Sequence, residues 1–177
     1  MEPTDMDRVR RAVASIAAGK PVVLLDGQGD AAKGSLVSAA YNATQHVLAF
    51  TVRHTTGFLQ VPLAEALCDR LNLPPMAGAR SDGRCASQRV SVDARDGVTT
   101  GISASDRATT ARLLADPNTT PDALTRPGHI VPIRVADSGL LCRHDREEAS
   151  VDLAQLAELP PAAVLSDIVS AHDQTTL

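Results

Sequence analysis

Aromatic residues are almost missing from this 177-residue sequence, which has no Trp, one Tyr and two Phe. With a formal net charge of −4 it offers neither a stacking platform nor a broad cationic surface, so nucleic-acid binding is not expected. No apolar run approaches the ~18 residues of a membrane span, and membrane association is not expected either. The three cysteines, Cys68, Cys85 and Cys142, are odd in number and not at metal-ligand spacing, which argues against a disulfide scaffold or a zinc site. The first residues are rich in Asp and Arg and do not form a signal peptide, so the cytoplasm is the expected compartment. Only two of the 17 basic residues are lysine, and no function is read from that. What is present, 44% hydrophobic and 21% charged residues, is the composition of a globular protein. One domain over residues 1–170 with a short tail at 171–177 is expected.

The order of elements follows from periodicity. Val9, Val13 and Ile16 share one face of a helix over 6–18 with Asp5 as its cap, and Gly19 stops it. The run 21–25 suits a buried strand, 26–34 a loop and 35–40 a second strand. A helix over 44–54 with Val47, Phe50 and Thr51 inward ends before Gly57, followed by an extended 58–61 and a helix over 64–71. Residues 74–89 form the longest loop, and 90–93 alternates as a strand. Ser103 and Asp106 have capping-box spacing ahead of a helix over 107–115. Segments 130–135 and 139–142 are expected to pair as strands, 151–159 to be a helix and 162–169 a last strand. Strands alternating with helices predict a single layered α/β (α+β) domain.

Four polar clusters stand out: Arg53-His-Thr-Thr-Gly57, Gly97-Val-Thr-Thr-Gly101, Arg126-Pro-Gly-His129 and Arg143-His-Asp-Arg-Glu-Glu148. The glycine-flanked threonines ahead of a capped helix offer hydroxyls and N–H groups that suit an anion or a sugar hydroxyl, although an ordinary turn has the same composition. An imidazole such as His129 titrates near neutrality and suits proton transfer, but a structural histidine is equally compatible. His54 at a helix end complements the dipole, and 145–148 has the pattern of a solvated mixed-charge turn.

In this order and spacing the clusters resemble 3,4-dihydroxy-2-butanone 4-phosphate synthase, a riboflavin-pathway family, over residues 6–170. The matching stretches are Val52-Arg-His-Thr-Thr-Gly57, Val61-Pro-Leu63, Val90-Ser-Val-Asp-Ala94, 97–104 with Asp106-Arg107, Arg126-Pro-Gly-His129 and Val151-Asp-Leu153. The resemblance implies a compact α/β fold, a homodimer with sites at the subunit interface, ribulose 5-phosphate as substrate, and a divalent cation, normally magnesium.

Some positions depart from the family. Where it carries a densely acidic loop, this chain has Asp26-Gly-Gln-Gly-Asp-Ala-Ala-Lys-Gly-Ser35, which puts Ala31 at the metal glutamate, Asp30 at an arginine and Lys33 at a second glutamate. Counting back from Val151, Arg146 falls on the metal histidine and Glu147 on a threonine, and Gln60 replaces a cysteine. Alanine and arginine do not ligate a hard cation. These departures predict a repurposed, metal-independent biosynthetic enzyme of isomerase, elimination or cyclisation type, with no metal site and no cofactor. The alternatives are a non-catalytic ligand-binding or scaffolding homodimer and a genuine synthase. The expected catalytic residues are His129, Asp93 and Arg146. The expected substrate contacts are Arg53, His54, Thr55, Thr99, Thr100, Arg143 and Glu148.

Overall fold

The computed structural model describes residues 4–27, 33–76 and 87–169. Helix α1 (Asp5–Ala17) is capped by Thr4, whose hydroxyl accepts from the Asp7 N–H while Asp7 reaches back to the Thr4 N–H, a reciprocal box worth about 1 kcal/mol. The cap is therefore one residue earlier than expected. Of the predicted apolar face only Ile16 is buried.

The strands are β1 (Val22–Asp26), β2 (Lys33–Ala39), β3 (Gln60–Ala64), β4 (Ser87–Gln88), β5 (Val92–Ala94), β6 (Leu124–Val135) and β7 (Ala163–Asp167). They form one sheet in the order β1-β2-β7-β3-β6-β4, with β5 paired to β6. Only β3 and β6 run parallel, joined through Gln60↔Val131 to Ala64↔Val135. Helices α2 (Gln45–His54), α3 (Glu65–Arg70) and α4 (Ala104–Ala115) pack with Val61, Leu63, Ile130 and Val164 on one face. Helix α1 and α5 (Arg146–Leu156) cover the other, against Val37 and Leu165 and against Val131 and Ile133. Because strand side chains alternate, Val164 and Leu165 serve opposite cores. Each fully buried Leu or Ile contributes roughly 1.5–3 kcal/mol. The layered α/β expectation is met.

Several local expectations are corrected. Strand β1 is a sheet edge and not a buried strand, with Val23 56% and Leu25 67% exposed. In α2 it is Leu48, not Phe50, that joins Val47 and Thr51 inside, because the helical face is set by packing on α4. Residues 139–141 form a 3₁₀ turn and no strand, and β6 extends back to Leu124 instead. Helix α5 starts at Arg146, so the supposed solvated turn is its first turn, with Glu148 fully buried. Strand β7 lies between β2 and β3, so the apolar run 162–169 is spent inside the sheet and offers no interface. Residues 77–86 of the long loop and the tail 171–177 lie outside the described residues. No helix among those described is long and apolar enough to cross a membrane.

Candidate functional site

The β5–β6 pairing contains the first element of the site. Val92 faces Ile130 but Asp93 faces Thr125, so residues 126–129 bulge out of β6. The bulge turns His129 back onto Asp93: its N–H donates to Oδ1 at 2.9 Å, and Nδ1 lies 2.7 Å from Oδ2. Asp93 is 10% exposed and His129 41% at the side chain. A buried carboxylate only accepts, so Nδ1 carries the proton and Nε2 is left as the basic nitrogen. Gly128 makes the turn possible, since a Cβ there would strike the backbone of Val92 and Asp93.

Against this pair lies the 97–101 loop. At Gly101, φ is +81°, and a Cβ would drive into the Asp93 carboxylate. The loop is held from α4, where Asp106 Oδ2 accepts from the Thr99 N–H (3.2 Å), the Thr99 hydroxyl (2.9 Å) and the Gly101 N–H (3.1 Å). The Thr99 hydroxyl, against some opposition from burial, and then the Thr99 and Gly101 N–H groups and the Ser103 hydroxyl hold the Asp106 carboxyl below its ordinary value. Only half of the expected capping box exists: Ser103 accepts from the Asp106 N–H at 3.0 Å, but the Asp106 carboxylate serves the loop. The N–H groups expected to await an anion are consumed there, while Thr100 stays exposed.

Thr55 closes α2, donating to Thr51 O at 2.7 Å and accepting from the Gly57 N–H at 3.2 Å. It is 5% exposed, and both of these hydroxyl bonds go to the backbone. Arg53 and His54 are exposed, His54 lying against Phe50 with ring centroids 4.5 Å apart, and Arg53 has no ion pair among the described residues. The turn after them bridges the sheet: the Thr56 N–H donates to Asp167 O at 2.8 Å, and Arg107 donates to Gly57 O at 3.0 Å.

Beyond that turn, α5 brings two arginines into separate acid clusters. Arg146 bonds the Asp167 carboxylate, the Ser35 hydroxyl at 3.1 Å and Glu147 at 3.3 Å. Burial works against its charge, but Asp167 and Glu147 outweigh it and hold the guanidinium above its ordinary value. No local spacing points to Asp167 and Ser35 as partners of Arg146, because strand pairing is what places them here. Residues 30 and 31 lie outside the described residues. Arg143 bonds Glu148 and approaches Asp145 at 3.0 Å, and Glu148 also accepts the Ala136 N–H at 3.2 Å. Glu148 has no exposed surface; its Oε1 holds Arg143 and the end of β6, while its Oε2 is buried without a partner among the described residues. Burial pushes the Cys68 thiol up to about 12, so it does not stand in for the cysteine replaced by Gln60.

The family model for 3,4-dihydroxy-2-butanone 4-phosphate synthase matches residues 10–177. The chain belongs to this family. It is 52% identical over 171 residues to riboflavin biosynthesis protein RibBA of Nocardia farcinica and 51% over 174 residues to that of Mycobacterium tuberculosis. These matches cover 97% and 98% of this chain and 41% of each relative, so the chain spans about two-fifths of the length of the curated relatives it matches. Among solved structures, the Candida albicans synthase superposes with a TM-score of 0.89 at 37% identity, covering 96% of this chain and 83% of that one. A synthase in complex with two magnesium ions gives 0.85 at 36% identity, covering 95% and 80%.

The family is that of an enzyme. Two expectations are thereby corrected. The departures at residues 30, 31, 33, 60, 146 and 147 predict a repurposed enzyme, but identity above 50% with riboflavin biosynthesis proteins across nearly the whole chain speaks against that reading. The expectation of no cofactor is overturned by a family member in complex with magnesium. Six substitutions weigh less than agreement along an entire domain.

Proposed function

We propose that this chain is a 3,4-dihydroxy-2-butanone 4-phosphate synthase domain, converting ribulose 5-phosphate to dihydroxybutanone phosphate and formate in riboflavin biosynthesis. The carrying observation is its 52% identity over 97% of its length to a riboflavin biosynthesis protein. The Asp93–His129 pair suits the chemistry. Release of formate from a ketose phosphate breaks a carbon–carbon bond after rearrangement of the carbon skeleton, and the proton transfers next to the carbonyl that accompany it are ones a held imidazole with one free nitrogen can make. His129 is the acid–base group and Asp93 fixes its tautomer. Thr99 and Thr100 lie in the loop over Asp93, and Arg53, with no ion pair among the described residues, presents charge for the phosphate next to His54.

Arg143 and Arg146 are each ion-paired with acids, Glu148 and Asp145 for one and Asp167 and Glu147 for the other, and their part is to hold α5 against the sheet. Magnesium belongs to this proposal through the related structure. No trio of His, Cys, Asp and Glu suited to a metal occurs among the described residues, and a guanidinium at 146 does not ligate one. That donor set does not fit a cation at Arg146, and no step is routed through one. A homodimer is part of the same reading, supported by the exposed apolar side chains Phe58 and Ile102, 52% and 55% exposed, next to the Gly57 and Gly101 turns. A cytoplasmic location completes it. The test is incubation of the purified chain with ribulose 5-phosphate and magnesium, reading formate by coupled oxidation and the four-carbon phosphate by NMR. Formate no higher than in the protein-free control overturns the proposal, and light scattering that gives a monomer mass overturns the dimer.

A further inference from the structure

The Asp93 carboxylate has two oxygens and a fixed set of neighbours. Oδ1 is taken by the His129 N–H and Oδ2 faces Nδ1, while Gly101 lies so close to the carboxylate that no side chain fits between them. The loop carrying Gly101 is exposed at Thr99 and Thr100, with Val98 half-buried. It is fastened by one atom, Asp106 Oδ2, which gathers all three donors of Thr99 and Gly101. The same helical turn grips β5: the Ala94 N–H donates to the Thr110 hydroxyl at 2.9 Å, and that hydroxyl donates to Asp106 O at 3.0 Å. Asp106 is thus bound on one side to the loop that covers Asp93 and on the other, through Thr110, to the strand that carries it.

We propose that Asp106 is a positioning residue for the Asp93–His129 pair, holding the Thr99–Gly101 loop over Asp93 so that water is kept from Oδ2 and His129 Nδ1–H remains its donor. A ring nitrogen's protonation follows the hydrogen bond that the other nitrogen makes, so a shielded Oδ2 sets Nε2 as the basic atom. Freed from Asp106, the loop lifts, water competes for Oδ2 and the imidazole samples its other tautomer. Asp106 touches no substrate and acts through Asp93. The inference rests on the reading of His129 as the acid–base group, and its first readout needs no substrate.

The test compares Asp106→Ala, Asp106→Asn and the parent chain by long-range ¹H–¹⁵N NMR of the imidazoles at about pH 8.5, above the ordinary histidine range. His129 is assigned by the signals lost in His129→Gln. In Asp106→Ala the Nδ1–H share of His129 falls by about half. Asp106→Asn restores the parent pattern, because a single amide oxygen takes the place of the one oxygen in use. With ribulose 5-phosphate, Asp106→Ala lowers kcat about tenfold and leaves KM within about twofold, as for an interaction made in the transition state. If Asp106→Ala fails to fold, Thr99→Val, which removes the hydroxyl donor alone, shifts the tautomer in the same direction by less. A folded Asp106→Ala, or Thr99→Val in its place, with an unchanged His129 tautomer overturns the proposal. Absence of turnover by the parent chain overturns the proposed function and leaves the tautomer measurement to judge Asp106.

Discussion

The Asp93–His129 pair and the Arg143–Arg146 clusters both combine buried acid with a basic group, yet they are built for opposite ends. In the first, one carboxylate holds one imidazole that keeps 41% of its side chain in solvent and one nitrogen uncommitted. In the second, two permanently charged guanidinia are surrounded by Asp145, Glu147, Glu148, Asp167 and Ser35, with 18% and 21% of their side chains exposed. The contrast teaches that chemistry is located by what a group has left over, not by how many charges gather round it. An ion-paired cluster stiffens the fold, whereas a pair with a free nitrogen suits the proton transfer proposed for it.

The largest effect that tests this contrast is on turnover. His129→Gln is expected to lower kcat by about 10²- to 10⁴-fold, the range for losing a general acid–base group, while shifting stability by less than about 0.5 kcal/mol. Parallel formate assays and thermal melts check both halves. A melt as damaged as the activity would erase the distinction between the two regions.

On the other side, Glu148→Ala leaves Arg143 without its buried partner and the Ala136 N–H without an acceptor. A loss of about 3–5 kcal/mol is expected from urea unfolding, as for a buried ion pair broken from one side. A chain with Glu148→Ala that melts like the parent would show the cluster to be no more than surface charge.

A smaller effect is in acid. The Asp106 carboxyl is held below its ordinary value chiefly by the Thr99 hydroxyl, so its folded form binds a proton less readily than its unfolded form. Its contribution is complete above the unfolded value of about 3.9 and fades as pH falls through the lower folded one. Acid unfolding followed by circular dichroism should therefore show a shallower loss of stability below about pH 4 in Asp106→Asn than in the parent. An identical acid slope would remove Asp106 from the account of the loop.

The mildest substitution is Arg53→Ala, which takes away an exposed cation with no ion pair among the described residues. KM for ribulose 5-phosphate is expected to rise about tenfold with kcat held within about twofold, the mark of lost uniform binding. An unchanged KM would move the phosphate away from α2.

Much of this was legible in the chain because its causes are local. Thr44 and Ser103 cap α2 and α4 as spacing requires, and Gly57 and Gly101 turn where only glycine sits easily. The family stretches around Asp93, Thr99 and His129 were in plain view, and the structure joins Asp93 and His129 across 36 residues. Local spacing did not show that Glu148 would be fully buried. Charge pattern makes Arg143 to Glu148 a wet turn, and only the packing of α5 on β3 and β7 takes the carboxylate out of water. The six departures from the family were visible too, but their number was outweighed by agreement along the rest of the chain.

By itself, then, the sequence determined the helices, the turns and the family, because capping, periodicity and glycine geometry act within a few residues along the chain. The tertiary structure decided which charges are spent. Asp167 reaches Arg146 across 21 residues and Ser35 across 132, distances closed only by the pairing of β2 with β7 and the crossing of α5. It also decided that β1 is an edge and β7 a centre, since strand order is set by how apolar faces find one another and not by any residue in the strand.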